Sequence, residues 1–434
     1  MKIELICTGE EVLCGQIVDT NAAWLAQYLW DQGLALHRKN TIGDRREDLT
    51  ALFLERSTEA DLVIVNGGLG PTTDDLSTEA MAMALQEPLV LCEVWQKKMD
   101  DFFAQRQIAV PACNTKQAML PQSARMIDNP YGTACGFAVK LNRAWFFFTP
   151  GVPREFKPMI KEQLLPFVKQ NFTQSISNIL KKFLVFGHGE SFLQEKLSAI
   201  QNDESISLGY RAFSPYIELK LIGPQSAAKQ LSAFEHTMTQ QLGDMIVGQE
   251  CTSLAEVVHQ QLKQHHKTLS LAESCTGGLL ASQLIRFAGS SAYFKEGVIA
   301  YDAHAKKERL GVRPHILQEE GEVSLMTAAQ MAEGIRRLSQ SDYALSTTGI
   351  AGPDGGNEDK PVGTVCIALA TPTHSYIQKV YFKNRSRDAV REFSAAVAFD
   401  MLRRILQNKE PCTTYSSIEQ VATQVMNSSD IFAV

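Results

Sequence analysis

The chain has 434 residues, of which 44% are hydrophobic and 21% are charged, and its formal net charge is −6. This composition is typical of a soluble globular protein of two or three domains, and no apolar run reaches the roughly 18–20 residues of a membrane span. Nine cysteines without a CxxC pair and an acidic N-terminus argue against a secreted disulfide framework. We therefore expect a cytoplasmic protein with no membrane contact, and the absence of a basic stripe argues against a nucleic-acid partner.

Residues 1–170 alternate apolar strands with amphipathic helices. Strand patterns occur in KIELICTG, LALHRKNTIG, DLVIVNGGLG and AWFFFTPGVP, and Asn21 is a candidate N-cap for the first long helix. The near-continuous apolar run of DLVIVN is typical of a strand buried on both faces. This βαβ order predicts a three-layer, doubly wound α/β domain.

A glycine-rich loop, NGGLGPTTDD, follows the third strand and can approach a phosphate closely. The candidate nucleotide-binding residues are Gly67, Gly68, Gly70, Thr72, Thr73 and Gly151. The aspartates after the loop could ligate a divalent metal or cap the next helix, and the local pattern leaves both open. The candidate metal ligands are Asp74, Asp75, Glu10, Asp19 and Glu155.

This N-terminal region resembles the MoaB/MogA-type molybdopterin-binding fold in the version found in the CinA family. The matching stretches are TGEEVLCGQIVDTN, NGGLGPTTDDLSTEA, NPYGTACGF and TPGVPREF. The resemblance implies a metal-dependent ADP-ribose pyrophosphatase that yields AMP and ribose 5-phosphate, with Co²⁺ or Mg²⁺, and K⁺ as a further candidate ion. The alternative is a domain that binds a pterin or nucleotide without catalysis.

Residues 171–250 predict a small α+β module, with strand, loop and helix in KKFLVFGHGESFLQEKLSAI, then two strands and a helix. The segment resembles the KH-like module of the CinA family. GHGES lacks the basic residues with which KH domains clamp nucleic acid, so we expect a structural role or a role in a homodimer. His188 in this loop is interpreted as structural.

Residues 251–410 begin a second series of strands and helices. Helices are predicted over 253–266, 276–287, 325–339 and 387–407, with strands in KTLSLA, EGVIAY, YALSTTG, GTVCIALA and YIQKVYF. The chain thus predicts an α/β protein with two three-layer α/β domains joined by the small α+β module. The tail, 411–434, has few apolar anchors, and we expect it to be partly disordered.

The stretch LAESCTGGLLAS places Ser274 where a strand turns into a helix. Glycines at a helix N-terminus can bind an anion, and a second glycine loop, STTGIAGPDGG, follows another strand. A serine nucleophile needs a base, for which Lys306, His304 and His315 are candidates. The alternative is that the serine caps the helix and the lysine is a surface charge.

The C-terminal region resembles the C-terminal domain of the CinA family in AESCTGG, GSSAYFKEGVIAY, GEVS and TGIAGPDGG…KPVGTV. Stand-alone members are nicotinamide-mononucleotide deamidases, so the resemblance implies hydrolysis by a Ser–Lys dyad that needs no cofactor. It assigns catalysis to Ser274, Lys306 and Tyr301. It assigns substrate binding to Thr276, Gly277, Gly278, Ser324, Thr348, Gly349, Gly352 and Arg387.

One stretch departs from the family pattern. FKNRSRDAVR lacks the Gly-Asp of the family's F-x-G-D-R-x-x-V-R and has one extra residue, although Arg387 and Arg391 align with its arginines. The leading interpretation is a bifunctional enzyme that acts on nicotinamide mononucleotide and ADP-ribose. A different class of function, an accessory protein in competence or DNA metabolism, is suggested by the family name and opposed by the acidic charge balance.

Overall fold

The protein is described by a computed structural model over residues 1–172, 178–200 and 205–433. The chain forms two compact units, Met1–Asn178 and Ile179–Val434. The strands are β1 (Ile3–Thr8), β2 (Leu36–Ile42), β3 (Leu62–Asn66), β4 (Leu89–Leu91), β5 (Met119–Pro121), β6 (Arg125–Ile127), β7 (Gly136–Leu141), β8 (Ala144–Thr149), β9 (Asn178–Phe186), β10 (Ser207–Phe213), β11 (Tyr216–Pro224), β12 (Ile246–Gln249), β13 (Leu269–Glu273), β14 (Phe294–Ile299), β15 (Tyr343–Gly349), β16 (Thr364–Ala370), β17 (His374–Tyr381) and β18 (Glu419–Asn427).

The helices of the first unit alternate with strands β1 to β4 and then follow β8. They are α1 (Glu10–Leu13), α2 (Thr20–Asp31), α3 (Arg46–Glu59), α4 (Ser77–Leu85), α5 (Glu93–Ala104), α6 (Pro153–Met159) and α7 (Leu165–Asn171). The helices of the second unit are α8 (Glu190–Leu197), α9 (Ala228–Leu242), α10 (Leu254–His265), α11 (Leu279–Ile285), α12 (Ala303–Leu310), α13 (Pro314–Glu319), α14 (Leu325–Ser339) and α15 (Arg387–Leu406). Among the described residues, none of these helices is both long and apolar enough to cross a bilayer.

The first unit is built on a six-stranded sheet in the order β2-β1-β3-β8-β7-β6. Strands β2, β1, β3 and β8 run parallel, whereas β7 and β6 are antiparallel additions at one edge. One face packs against α3, α4 and α5, and the other against α2 and α6. The central strand β3 is buried along its whole length because both faces are covered, whereas the edge strand β2 is polar and exposed or half-buried.

The second unit contains a small sheet and a large one. The small sheet has the order β10-β11-β9-β12 and packs on α8 and α9. Its opposite face contributes Leu184, Phe186 and Tyr216 to the core of the large sheet. The module predicted over 171–250 therefore shares a hydrophobic core with the C-terminal domain.

The large sheet has the order β14-β13-β15-β16-β17-β18. Strands β14, β13 and β15 are parallel, and the last three alternate in direction. Helices α10, α11 and α15 cover one face, while α12, α13 and α14 cover the other. The predicted fold class, two three-layer α/β domains and a small α+β module, is confirmed.

Three local expectations are wrong. The tail expected to be partly disordered forms β18, which pairs with β17 and alternates exposed and half-buried side chains. The N-cap of α2 is Asp19, which accepts the N–H of Ala22, while Asn21 is buried one residue inside the helix. Helix α11 begins at 279 instead of 276, because Gly277 and Gly278 have φ angles of +60° and +90° that an α-helix does not allow.

Candidate functional site

The carboxyl ends of β13 and β15 border a cavity of about 270 Å³ in the second unit. This edge of a parallel sheet is where α/β proteins bind ligands. The predicted residues that line it are Ser274, Tyr301, Lys306, Thr348, Gly349, Gly352 and Arg387. Cys275, Glu322 and Asp354 also line it, and no catalytic or binding role was predicted for Glu322 or Asp354.

Ser274 is held at the end of β13 by the main chain. Its N–H donates to the carbonyl of Thr347 on β15 at 2.9 Å, and its carbonyl accepts the N–H of Gly277 at 3.0 Å. The side chain is buried at the wall of the cavity. A serine fixed in this way can present its hydroxyl to a ligand without a large loss of entropy on binding.

Cys275 lies beside Ser274 and is intrinsically the better nucleophile, but its surroundings keep the thiol protonated. Burial raises the pKa of the Cys275 thiol to about 12. The thiolate is the reactive form of cysteine, so this thiol is unreactive at neutral pH. Of these two adjacent side chains, the Ser274 hydroxyl is therefore the better candidate nucleophile.

Glu273 occupies the helix N-terminus that the sequence suggested as an anion site. Its buried carboxylate accepts the N–H groups of Gly278 at 2.9 Å, Leu280 at 3.1 Å and Ala281 at 3.0 Å. A carboxylate of the chain itself thus satisfies the free donors of α11 and interacts favourably with the helix dipole. These N–H groups are not free to hold a phosphate.

Four predicted substrate-binding residues lie outside the cavity lining over the described residues. Thr276, Gly277 and Gly278 form the turn into α11, and the hydroxyl of Thr276 is bonded to that of Thr347 at 2.7 Å. Ser324 is the N-cap of α14, where its hydroxyl accepts the N–H of Thr327. The contacts of Thr276 and Ser324 lie within the fold, and a role of these four residues in substrate binding stays a prediction.

Lys306 lies in the first turn of α12, which Asp302 caps. The lysine side chain is only 1% exposed, and Nζ donates to the carboxylate of Glu322 at 2.7 Å and to the carbonyl of Tyr301 at 3.3 Å. Lys306 is therefore not a surface charge. Ser274 and Lys306 border the same cavity, but no hydrogen bond joins them among the described residues.

The glycine loop after β15 forms the opposite wall. The hydroxyl of Thr348 donates to the carbonyl of Glu322 at 2.7 Å. At the mouth, the exposed guanidinium of Arg387 donates to the carbonyl of Gly352 at 2.6 Å and to the hydroxyl of Tyr301 at 2.8 Å. This places a cation and a phenol at the opening, where an anionic group of a ligand can reach them.

Arg391, the second aligned arginine, has a structural contact. Its guanidinium donates to the carbonyl of Thr276 at 3.1 and 3.3 Å and therefore braces the turn into α11. Of the two arginines that align with the family stretch, Arg387 alone lines the cavity over the described residues.

The first unit has a larger cavity of about 570 Å³ at the carboxyl ends of β1, β3 and β8. The predicted residues on its wall are Gly67, Gly68, Gly70, Gly151, Asp19, Asp74, Asp75 and Glu155. A side chain at Gly67 would lie 2.7 Å from the hydroxyl of Thr8, and this glycine has a φ of +113°. The loop geometry therefore requires glycine at this position.

Thr8 and Asn21 line this cavity, and in each side chain one oxygen is buried and has no hydrogen-bond partner among the described residues. Oδ2 of Asp19 is buried as well and forms an ion pair with Lys39 at 2.8 Å. These oxygens are covered by protein, so they do not by themselves indicate a ligand. Thr72, Thr73 and Glu10, also predicted for this site, lie outside the lining.

The predicted metal ligands do not converge. Over the described residues, no three His, Cys, Asp or Glu side chains form a group that could hold a metal ion. Asp19 caps α2 and is paired with Lys39 at 2.8 Å, and Asp75 accepts the N–H of Thr72 at 2.9 Å. Glu155 accepts the amide of Asn129 at 2.8 Å. Each of these three carboxylates has a partner from the chain, and over the described residues the predicted ligands do not form a group that fits a resident metal.

Comparison with known proteins covers both units. Residues 4–170 match the family described as "Probable molybdopterin binding domain", and residues 251–406 match the "CinA C-terminal domain". A CinA-like protein of Shewanella piezotolerans is 54% identical over 97% of this chain and 99% of its own length. The nicotinamide-nucleotide amidohydrolase PncC of Shewanella oneidensis is 51% identical over 96% of this chain and 99% of its own length.

A solved structure, the competence/damage-inducible protein CihA of Agrobacterium tumefaciens, is 37% identical and covers 36% of this chain and 93% of its own, with a TM-score of 0.35. The resemblance that the motifs indicated is confirmed by the full-length relatives. Because relatives more than half identical match nearly the whole of it, the chain belongs to the CinA family.

Proposed function

We propose that the second unit hydrolyses the carboxamide of nicotinamide mononucleotide to nicotinate mononucleotide and ammonia. The observation that carries the proposal is the cavity in which a fixed serine and a buried lysine border the same space. The name of the Shewanella oneidensis relative, a nicotinamide-nucleotide amidohydrolase, supports this substrate class.

In the proposed reaction, Ser274 Oγ attacks the carboxamide carbon while neutral Lys306 accepts the hydroxyl proton. Main-chain N–H groups at the cavity wall stabilise the oxyanion that forms. The resulting ammonium of Lys306 returns the proton to the leaving nitrogen, so ammonia departs and an ester to Ser274 remains. Water then hydrolyses the ester, releases the carboxylate product and restores the serine.

The mouth of the cavity supports the binding of a nucleotide phosphate. Arg387 is exposed there, and its guanidinium is oriented by Gly352 and Tyr301. Arginine binds phosphate through two parallel hydrogen bonds, which gives both affinity and orientation. In this arrangement Tyr301 positions the arginine at the mouth, and Ser274 and Lys306 carry the chemistry inside.

The test is ammonia release from nicotinamide mononucleotide by the purified chain. We expect wild type to release ammonia in proportion to nicotinate mononucleotide, and Ser274→Ala to lower kcat by about a thousandfold or more. Arg387→Ala should mainly raise KM, because it removes binding that is equal in substrate and transition state. If wild type releases no ammonia from this substrate, the proposed function is wrong.

We further propose that the 570 Å³ cavity of the first unit binds a phosphorylated nucleotide, with ADP-ribose as the substrate to test. The glycine-rich loop on its wall supports a phosphorylated ligand, because glycines let the backbone approach a phosphate closely. Over the described residues the carboxylates form no group that could hold a metal ion, so this binding proposal does not depend on one. The expected products of pyrophosphatase activity are AMP and ribose 5-phosphate.

A single pair of measurements separates the catalytic proposal from simple binding. ADP-ribose should bind wild type, and Gly67→Ala should abolish binding because a side chain would meet Thr8. AMP release with added Mg²⁺ or Co²⁺ supports the pyrophosphatase. Binding without AMP release at any metal concentration would show that the first unit binds the nucleotide and does not cleave it.

A further inference from the structure

Glu322 is the closest charged neighbour of the proposed base and had no role in the sequence interpretation. It lies in the loop between α13 and α14, on the wall of the 270 Å³ cavity. Its carboxylate accepts Nζ of Lys306 at 2.7 Å, and its main-chain carbonyl accepts the hydroxyl of Thr348 at 2.7 Å. One residue therefore holds both the lysine and the loop that faces it.

The two members of the ion pair differ in their access to water. The lysine side chain is 1% exposed, whereas that of Glu322 is 45% exposed. The proposed reaction starts from the neutral amine and returns the proton of Lys306 to the leaving nitrogen, so Nζ has to lose a proton once, before the first attack. The exposed carboxylate of Glu322 is the nearest acceptor of that proton.

We infer that Glu322 is the positioning residue for Lys306 and the route by which its proton reaches solvent. This inference depends on the proposed deamidase function. The proton passes from Nζ to Oε2 of Glu322 and from there to water, leaving a neutral amine and a regenerated carboxylate. The amine then accepts the Ser274 proton as the bond from Oγ to the carboxamide carbon forms.

The surroundings of the pair contain few other titratable groups. The other charged or titratable side chains that line the cavity are Cys275, Tyr301, Asp354 and Arg387. The Tyr301 hydroxyl is bonded to Arg387, and the Cys275 thiol is kept protonated by burial. Of the charged side chains that line the cavity, Glu322 is the one whose carboxylate contacts Nζ of Lys306.

The experiment compares the pH–rate profiles of wild type and Glu322→Gln with nicotinamide mononucleotide. We expect kcat of the variant to fall by about 10- to 100-fold, with KM within about threefold. The acid limb of kcat/KM should move in the variant, because the carboxylate that contacts Nζ of Lys306 is gone, whereas a merely structural loss would lower the rate equally at every pH. Glu322→Asp should recover part of kcat and return the limb toward its wild-type position.

Glu319→Gln is the matched control, because it removes an exposed carboxylate three residues away that does not line the cavity. It should leave kcat and the acid limb unchanged. An acid limb that stays at its wild-type position in Glu322→Gln, with wild-type activity established, overturns the inference and leaves the deamidase proposal intact. The absence of ammonia release by wild type would instead overturn the proposed function.

Discussion

Replacement of Glu273 by alanine should loosen the turn that carries Ser274. The buried carboxylate accepts three N–H groups, from Gly278, Leu280 and Ala281, at 2.9–3.1 Å. Alanine would leave these three N–H groups at the start of α11 without an acceptor. Because Leu280 is buried, its N–H could not form a hydrogen bond with water instead.

The magnitude follows from the contacts. A hydrogen bond to a charged group contributes roughly 1.5–3 kcal/mol, and a buried donor left unpaired costs about 1–3 kcal/mol. Three bonds that share one carboxylate are not additive, so we expect a loss of about 3–5 kcal/mol for Glu273→Ala. Glu273→Gln keeps one carbonyl acceptor but loses the charge beside the helix dipole, and about 1–2 kcal/mol should be lost.

Amide hydrogen exchange measured by mass spectrometry reports this local loss directly, because it does not require the whole chain to unfold in one step. Peptides that cover α11 should exchange about 100- to 4000-fold faster in Glu273→Ala, since about 1.4 kcal/mol corresponds to a factor of ten. Peptides from the first unit serve as the internal control and should not change. If exchange in α11 stays within about twofold of wild type, the carboxylate does not stabilise the turn.

Three further predictions address the nucleophile, the tail and pH. Because burial raises the pKa of the Cys275 thiol to about 12, Cys275→Ala should keep kcat within about threefold of wild type in the ammonia assay, and a larger loss would implicate the thiol. Tyr415 donates to buried Asp400 at 2.8 Å, so Tyr415→Phe should cost about 1–2 kcal/mol and speed proteolysis of the tail; equal cleavage rates would contradict this anchor. Burial, followed by nearby Lys196, lowers the pKa of His188, so the unfolded chain binds this proton more readily than the folded one. Stability of the second unit should therefore fall as the pH drops from about 7.5 to 5.5, and a denaturation midpoint that falls equally in His188→Asn would exclude this histidine as a cause.

The fold followed from the sequence because its signals are local. Continuous apolar runs predicted the buried parallel strands, and the helices predicted over 325–339 and 387–407 match α14 and α15 almost to the residue. The tail was misjudged because its sequence does not alternate apolar and polar residues. In β18 the half-buried positions include Gln420 and Gln424, whereas Val421 and Val425 are exposed, so hydrophobic alternation does not reveal the strand.

The site was only partly accessible from the sequence. The motifs led to Ser274 and Lys306, which line one cavity. The Glu322 carboxylate is 16 residues from Lys306, and this contact exists only once α12 and the loop before α14 pack together. The metal prediction had the same limit. Whether a carboxylate is already paired depends on the folded chain, and the ion pair between Asp19 and Lys39 forms only at the folded edge of the sheet.

The glycines of AESCTGG show a different limit. Glycines before a helix are compatible with an anion site. The anion can be a bound ligand or a carboxylate of the chain itself, and glycines alone do not distinguish the two. Here the acceptor is Glu273, five residues before the first N–H that it accepts. A glutamate just upstream of a helix N-terminus was the signal that could have revealed this contact.

The covalent intermediate is the most direct test of the proposed chemistry. Wild type mixed with nicotinamide mononucleotide, quenched in acid at short times and digested, should yield a peptide that carries the nicotinoyl ribotide acyl group on Ser274. The adduct should disappear in Ser274→Ala and decay in wild type as ammonia release is completed. An adduct on Cys275, or ammonia release that continues in Ser274→Ala at the wild-type rate, would contradict the assignment of the nucleophile.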